Sequence, residues 1–208
     1  MPAKEGNVLF RRLVLIAAIA VAAPAAAGAQ DFGVAESAET INTGNFKLSV
    51  NPMFVFPDEA DNEIGVGLRF GYGFTPRFDM EAKAAFYDGL YFFGGDFEYW
   101  LVKNKAWDVS GGAGLHLARG EFVADSTGID LTLIASRRVA RRLDFYGALD
   151  VAIEAVDDAQ GEDFTTVHLV PGIEYAISDD LDFIAEAGFS LNDDGSHYVS
   201  VGLSYYIR

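Results

Sequence analysis

The chain has 208 residues, with 31 acidic against 15 basic side chains and a net charge of −16. A balance this acidic argues against nucleic acid or anionic lipid as a partner. The absence of cysteine excludes disulfides and a lipid anchor on an N-terminal cysteine.

The first 29 residues have the layout of a secretory signal peptide. Lys4, Arg11 and Arg12 form a basic start, Leu13 to Ala23 is uncharged and apolar, and Ala27-Gly28-Ala29 supplies the small residues a signal peptidase needs. The apolar run falls short of the roughly 20 residues of a spanning helix. Arg11-Arg12 raises twin-arginine export, but the surrounding residues fit general secretion better. The mature chain is expected to begin at Gln30, with residues 30–43 as a short periplasmic lead-in and 44–208 as one domain.

From Asn45 onward, apolar and polar residues alternate in about ten segments, the period of a strand with two unlike faces. The first sets Phe46, Leu48, Val50, Phe54 and Phe56 against Lys47, Ser49 and Asn51. In the second, Ile64, Val66, Leu68, Phe70, Tyr72 and Phe74 alternate with Glu63, Arg69 and four glycines. The third sets Phe78, Met80 and Phe86 against Asp79, Glu81 and Lys83, and the fourth Tyr91, Phe93, Phe97 and Tyr99 against Asp96 and Glu98. The fifth sets Trp107, Leu115 and Leu117 against Asp108 and His116, and the sixth Ile129, Leu131 and Leu133 against Asp130 and Thr132. The seventh sets Leu143, Phe145, Leu149 and Ile153 against Asp144, Asp150 and Glu154, and the eighth Leu169, Ile173 and Tyr175 against His168 and Glu174. The ninth sets Phe183 and Phe189 against Asp182 and Glu186, and the tenth Val199, Val201, Leu203, Tyr205 and Ile207 against Ser200 and Ser204. Eight or twelve strands would also fit the pattern. Trp100, Ile134, Val170 and Ile184 fall on the polar face, where they read as lumen filler.

Segments of about 9 to 12 residues suit tilted strands crossing a bilayer; soluble strands are usually about half as long. Alternation alone does not say which face meets water, and a soluble periplasmic barrel enclosing an apolar ligand has the same pattern. Three features favour apolar residues outside. Glycine concentrates on the polar face (Gly65, Gly67, Gly71, Gly73, Gly112, Gly114), as a narrow lumen requires. The aromatics Phe74, Phe78, Tyr99, Trp107, Tyr175, Phe183 and Tyr205 flank the connections at one end, like the girdle of a lipid–water boundary. The connections themselves alternate in chemistry. Those after even strands are short and mostly basic (Arg77; Lys103 and Lys105; Arg137 to Arg142), whereas those after odd strands are acidic (Asp58, Glu59 and Asp61; Asp88; Glu121 and Asp125; Asp157, Asp158, Glu162 and Asp163; Asp193 and Asp194). Short turns belong on the periplasmic side, so the acidic loops face outward. There they are either merely solvated or neutralised by divalent cations that bridge lipopolysaccharide. The expected fold is therefore all-β, an antiparallel up-and-down transmembrane β-barrel.

Facing inward are thirteen acids, among them Asp96, Glu98, Asp130, Asp150, Glu154, Glu174 and Glu186, against Lys47, Arg69 and Lys83. Crowded carboxylates need hydration, cations or protons, so a hydrated interior is expected, with a narrow path that prefers cations. Asp79, Asp108, Asp144 and Asp182 each follow an apolar residue at the start of an upward strand and are expected to form an inward ring at the periplasmic end. They serve either as a cation-attracting mouth or as partners of Arg77, Lys105, Arg142 or turn amides.

The signal peptide, the segment Gly71-Tyr72-Gly73-Phe74-Thr75-Pro76-Arg77-Phe78-Asp79 and the alternating last strand together resemble the superfamily of small bacterial outer-membrane β-barrel proteins, including porin-like and opacity-type members. The resemblance spans Gly44 to Arg208. It implies an outer-membrane location, with membrane lipid, lipopolysaccharide and the barrel-insertion machinery as partners. Such proteins usually close on an aromatic residue, whereas this chain ends in Ile207-Arg208. The function expected is a structural or narrow-pore role, with surface interaction through the acidic loops as the alternative. Asp193, Asp194 and His197 stand where the related omptin proteases carry catalytic groups, but the omptin sequence context is missing. The His and Ser spacing of outer-membrane deacylases is also missing, and His116 and His168 read as lumen residues bonded to carboxylates. No cofactor and no metal-ligand spacing is found.

Overall fold

The computed structural model describes residues 32–57, 61–104, 106–121, 125–157 and 162–208. The proposed signal peptide lies outside the described residues, as do Asp58, Glu59, Lys105 and Asp158.

The described residues form ten strands: β1 (Phe46–Phe56), β2 (Glu63–Thr75), β3 (Phe78–Tyr87), β4 (Leu90–Lys103), β5 (Asp108–Gly120), β6 (Ser126–Ala140), β7 (Leu143–Val156), β8 (Phe164–Ala176), β9 (Leu181–Ser190) and β10 (His197–Ile207). Each pairs antiparallel with its neighbours in sequence, and β1 closes the ring against β10 with Phe46 opposite Ile207. Closure removes the unpaired edges that backbone groups cannot leave bare in hydrocarbon. The alternatives of eight or twelve strands fall away. The ladder shifts register at Gly73/Thr75, Trp100/Val102 and Arg138/Ala140, always where an even strand approaches its short turn.

The pleat decides the faces. Leu48, Phe70, Met80, Phe93, Leu115, Leu131, Leu149, Leu169 and Val201 are exposed on the outer wall, with Leu115 at 62 %. Lys47, Ser49, Arg69, Glu81, Glu98, Asp150 and Ser200 are buried inside. A soluble barrel with an apolar cavity has the opposite arrangement and is excluded. Trp100, Ile134, Val170 and Ile184 are inward and buried.

The segment ahead of β1 departs from the expected periplasmic lead-in. Within it, Phe32, Val34, Ala35, Ser37, Ala38 and Ile41 are buried inside the barrel. The physical reason is that Phe32, Val34 and Ile41 gain by leaving water, and the lumen offers both apolar recesses and acceptors for their backbone N–H groups. We call residues 32–45 the strap.

Candidate functional site: the acidic lumen and its strap

At its base the strap touches the barrel ladder. Gly44 donates its N–H to Gly73 O at 2.8 Å, and Gly73 N–H returns to Asn45 O at 3.1 Å. Gly73 is required here by close approach: a Cβ would stand 2.3 Å from Ile41 O and 2.4 Å from Asn42 O.

Above that point, wall side chains hold the strap. Asp79 Oδ2 accepts from Ile41 N–H at 2.6 Å, Ser136 Oγ from Ala38 N–H at 3.2 Å and Glu174 Oε2 from Ser37 N–H at 3.2 Å. Glu186 accepts from Ala35 N–H at 2.7 Å and from Val34 N–H at 3.2 Å, and its Oε2 also accepts from Tyr146 Oη–H at 2.6 Å. The Arg69 guanidinium donates to Phe32 O at 3.2 Å and to Gly33 O. Three residues of the strap take left-handed backbone angles, Gly33 (φ 63°), Ala35 (φ 48°) and Gly44 (φ 84°). A Cβ on Gly33 would meet Glu186 Oε1 at 2.6 Å.

The lumen charges form two groups. Beside the strap, Lys47 bridges Glu81 (2.5 Å) and the strap's own Glu36 (2.9 Å), while Arg69 reaches Glu81 at 3.4 Å and Glu36 at 3.8 Å. Farther up, Lys83 pairs with Asp96. His116 lies between Asp130, 2.9 Å from Nδ1, and Glu154 at Nε2. Each imidazole nitrogen of His116 thus faces a carboxyl group. Ser126 donates to Glu154 at 2.7 Å and Thr132 to Asp150 at 2.6 Å. The Phe32 ring stands edge-on to Phe92 and His116, at 5.9 and 6.0 Å between centroids. The inward acids are therefore brought together, but much of their accepting capacity goes to the strap and to polar side chains. His168 differs from expectation: its Nε2 faces Ser196 O at 3.0 Å, a backbone carbonyl and no carboxylate.

The four periplasmic carboxylates do not act alike. Asp79 is engaged by the strap. Asp144 takes Arg138, with Nη2 at 2.9 Å, and not Arg142, whose guanidinium donates to Ile177 O. The register shift after Arg138 sets it opposite Asp144. Asp144 and Asp182, with Glu39, Glu174, Arg138 and Arg208, line a vestibule of about 340 Å³ that opens at this end. Burial holds the Glu39 carboxyl above its ordinary range, with Arg138 pulling the other way. Asp108 starts β5 opposite Lys103 and Ser136.

The girdle residues share this end of the outer wall. Phe78 lies opposite Tyr99 and Tyr175 opposite Phe183, with Phe74 5.8 Å from Phe78 and Tyr205 opposite Leu48. Trp107 carries the Arg137 guanidinium 5.9 Å from its ring. At the opposite end, Asp194 accepts from Thr165 N–H and Asn192, while His197 Nδ1 accepts from Ser190 N–H at 3.0 Å. Both groups thus organise the β9–β10 loop. Among the described residues no cluster of three or more His, Asp or Glu side chains could hold a metal ion.

The strap is what sequence reasoning missed. Its signals were the apolar run Phe32-Gly33-Val34-Ala35 directly after an export signal and the small residues Ser37 and Ala38. The inward Gly71 and Gly73, read as the mark of a narrow lumen, make room for Ile41 and Asn42.

The family model of the outer membrane protein β-barrel domain matches residues 13–206. A comparison with curated proteins finds no match. Among solved structures, the fold is similar to an outer membrane channel from Pseudomonas putida F1, with a TM-score of 0.56, 10% identity, and coverage of 88% of this chain and 100% of that one. It is also similar to the NanC porin, with a TM-score of 0.51, 12% identity, and coverage of 76% and 98%. A closed ten-stranded barrel with an apolar outer wall, together with the match over nearly its whole length, makes this chain a member of the outer membrane protein β-barrel domain family, whose place is the bacterial outer membrane.

Proposed function

We propose that the protein is a narrow, cation-preferring pore that rests closed. One observation carries the reading: the inner wall bears carboxylates at every level, from Asp144, Glu174 and Asp182 at the vestibule through Glu81, Glu186 and Asp96 to Asp130, Asp150 and Glu154, against few basic side chains. Rings of carboxylates favour cations and repel anions at such short range. The channel and porin folds among the similar structures support a conducting role at the level of architecture.

The test is the reversal potential of purified protein in a planar bilayer under a KCl gradient. Cation preference is expected, reduced by about half or more in Asp96→Asn with Glu98→Gln, since both changes make the lumen less negative. Anion preference would overturn the reading. Silence both in the wild type and after removal of residues 32–41 would leave a structural barrel.

A further inference from the structure

We propose that the inner wall is a binding site for an extended polypeptide segment, filled in cis by residues 32–41, and that release of this segment opens the lumen. The first half stands on contacts alone; the second rests on the pore reading above.

The strap is held as a ligand is held. Its backbone, and not its side chains, makes most of the polar contacts: N–H groups of Val34, Ala35, Ser37, Ala38 and Ile41 go to Glu186, Glu174, Ser136 and Asp79, and carbonyls of Phe32 and Gly33 take the Arg69 guanidinium. Arg69, buried beneath the strap, is held from the wall side by Glu81. Donors and acceptors directed at a main chain, with Phe32 seated as an aromatic anchor against Phe92, make up a peptide-binding site. Charge complementarity completes it at Glu36, which meets both Lys47 and Arg69.

The barrel does not need the strap for closure. The strand ladder runs through all ten strands, and the strap adds only the isolated bridge between Thr43 and Gly73. Residues 32–41 can therefore leave the lumen while Gly44 keeps its anchor. Their departure uncovers Glu186, Glu174 and Asp79 along the axis.

Two variants test this. Deleting residues 32–41 should raise conductance at least about tenfold, and a synthetic peptide of residues 32–41 added in trans should block it, whereas a scrambled peptide should not. In the full chain, Ala38→Cys with Ser136→Cys joins strap to wall; the chain contains no cysteine to compete. Oxidation should abolish openings and reduction should restore them. If the deleted barrel conducts but the peptide neither blocks it nor binds by fluorescence anisotropy, and the cross-link leaves openings unchanged, the binding site is refuted and the pore reading stands. If the peptide binds the deleted barrel but neither form conducts, the binding site stands and the pore reading fails. If the peptide neither binds nor blocks and no form conducts, both fail.

Discussion

Replacing Gly33 with Ala tests the seating of the strap most directly. Gly33 sits at φ 63°, where an L side chain costs about 1–2 kcal/mol. The new Cβ would also stand 2.6 Å from Glu186 Oε1 and 3.0 Å from Met53 Cε. Glu186 must then move away from Val34 N–H and weaken a charge-assisted bond worth about 1 kcal/mol or more. Together these come to about 2–3 kcal/mol against docking, or a ~30- to 150-fold larger undocked population. Ser37→Cys provides the reporter, because Ser37 is buried and the chain has no other thiol. Maleimide labelling of this cysteine in the folded barrel follows strap release, and Gly33→Ala should speed it by that factor. Gly44→Ala is the control: Gly44 keeps its hydrogen bond to Gly73 whether the strap is docked or released and nothing lies near the added Cβ, so labelling within about twofold of the parent is expected. Labelling of Gly33→Ala within about twofold of the parent would show that the strap does not sit on Glu186 as described.

Three further outcomes are expected. Ala35→Gly relieves the left-handed angle at φ 48° and should slow Ser37→Cys labelling by about two- to fivefold, the effect of roughly 0.5–1 kcal/mol; faster labelling would contradict the strain argument. Arg69→Met leaves Glu81 and Glu36 to Lys47 alone and uncaps Phe32 O and Gly33 O, so the denaturant midpoint should fall by an amount equivalent to about 3–5 kcal/mol; an unchanged midpoint would mean that the pair is not the buried network described. Outer-membrane fractions run unboiled should give a band displaced from the boiled one, as a closed antiparallel ladder resists detergent; a soluble protein without that shift would overturn the assignment of the faces.

The strands were legible because alternation is a local property. Whether Leu68 and Arg69 lie on opposite faces is settled by their being adjacent in a strand, before any partner is known. The same locality made the inward acids, the girdle and the filler positions Trp100 and Ile134 readable. Partners were less so. Asp144 pairs with Arg138 and not Arg142 because a register shift near the turn sets that pairing, and turn geometry at this resolution of pattern is not written in composition.

The strap was hidden for a different reason. It has no period, and its bonds span up to 152 residues, from Val34 to Glu186. By itself the sequence determined about ten amphipathic segments, the polar and the apolar face of each, and a polar face rich in carboxylate, since each follows from neighbours along the chain; that ten close into one ring with the polar face inside took the structure. Only the tertiary structure decided what those carboxylates hold. Ring closure brings Asp79 on β3, Glu174 on β8 and Glu186 on β9 around one axis, and a segment with free N–H groups can be satisfied there only after they have converged.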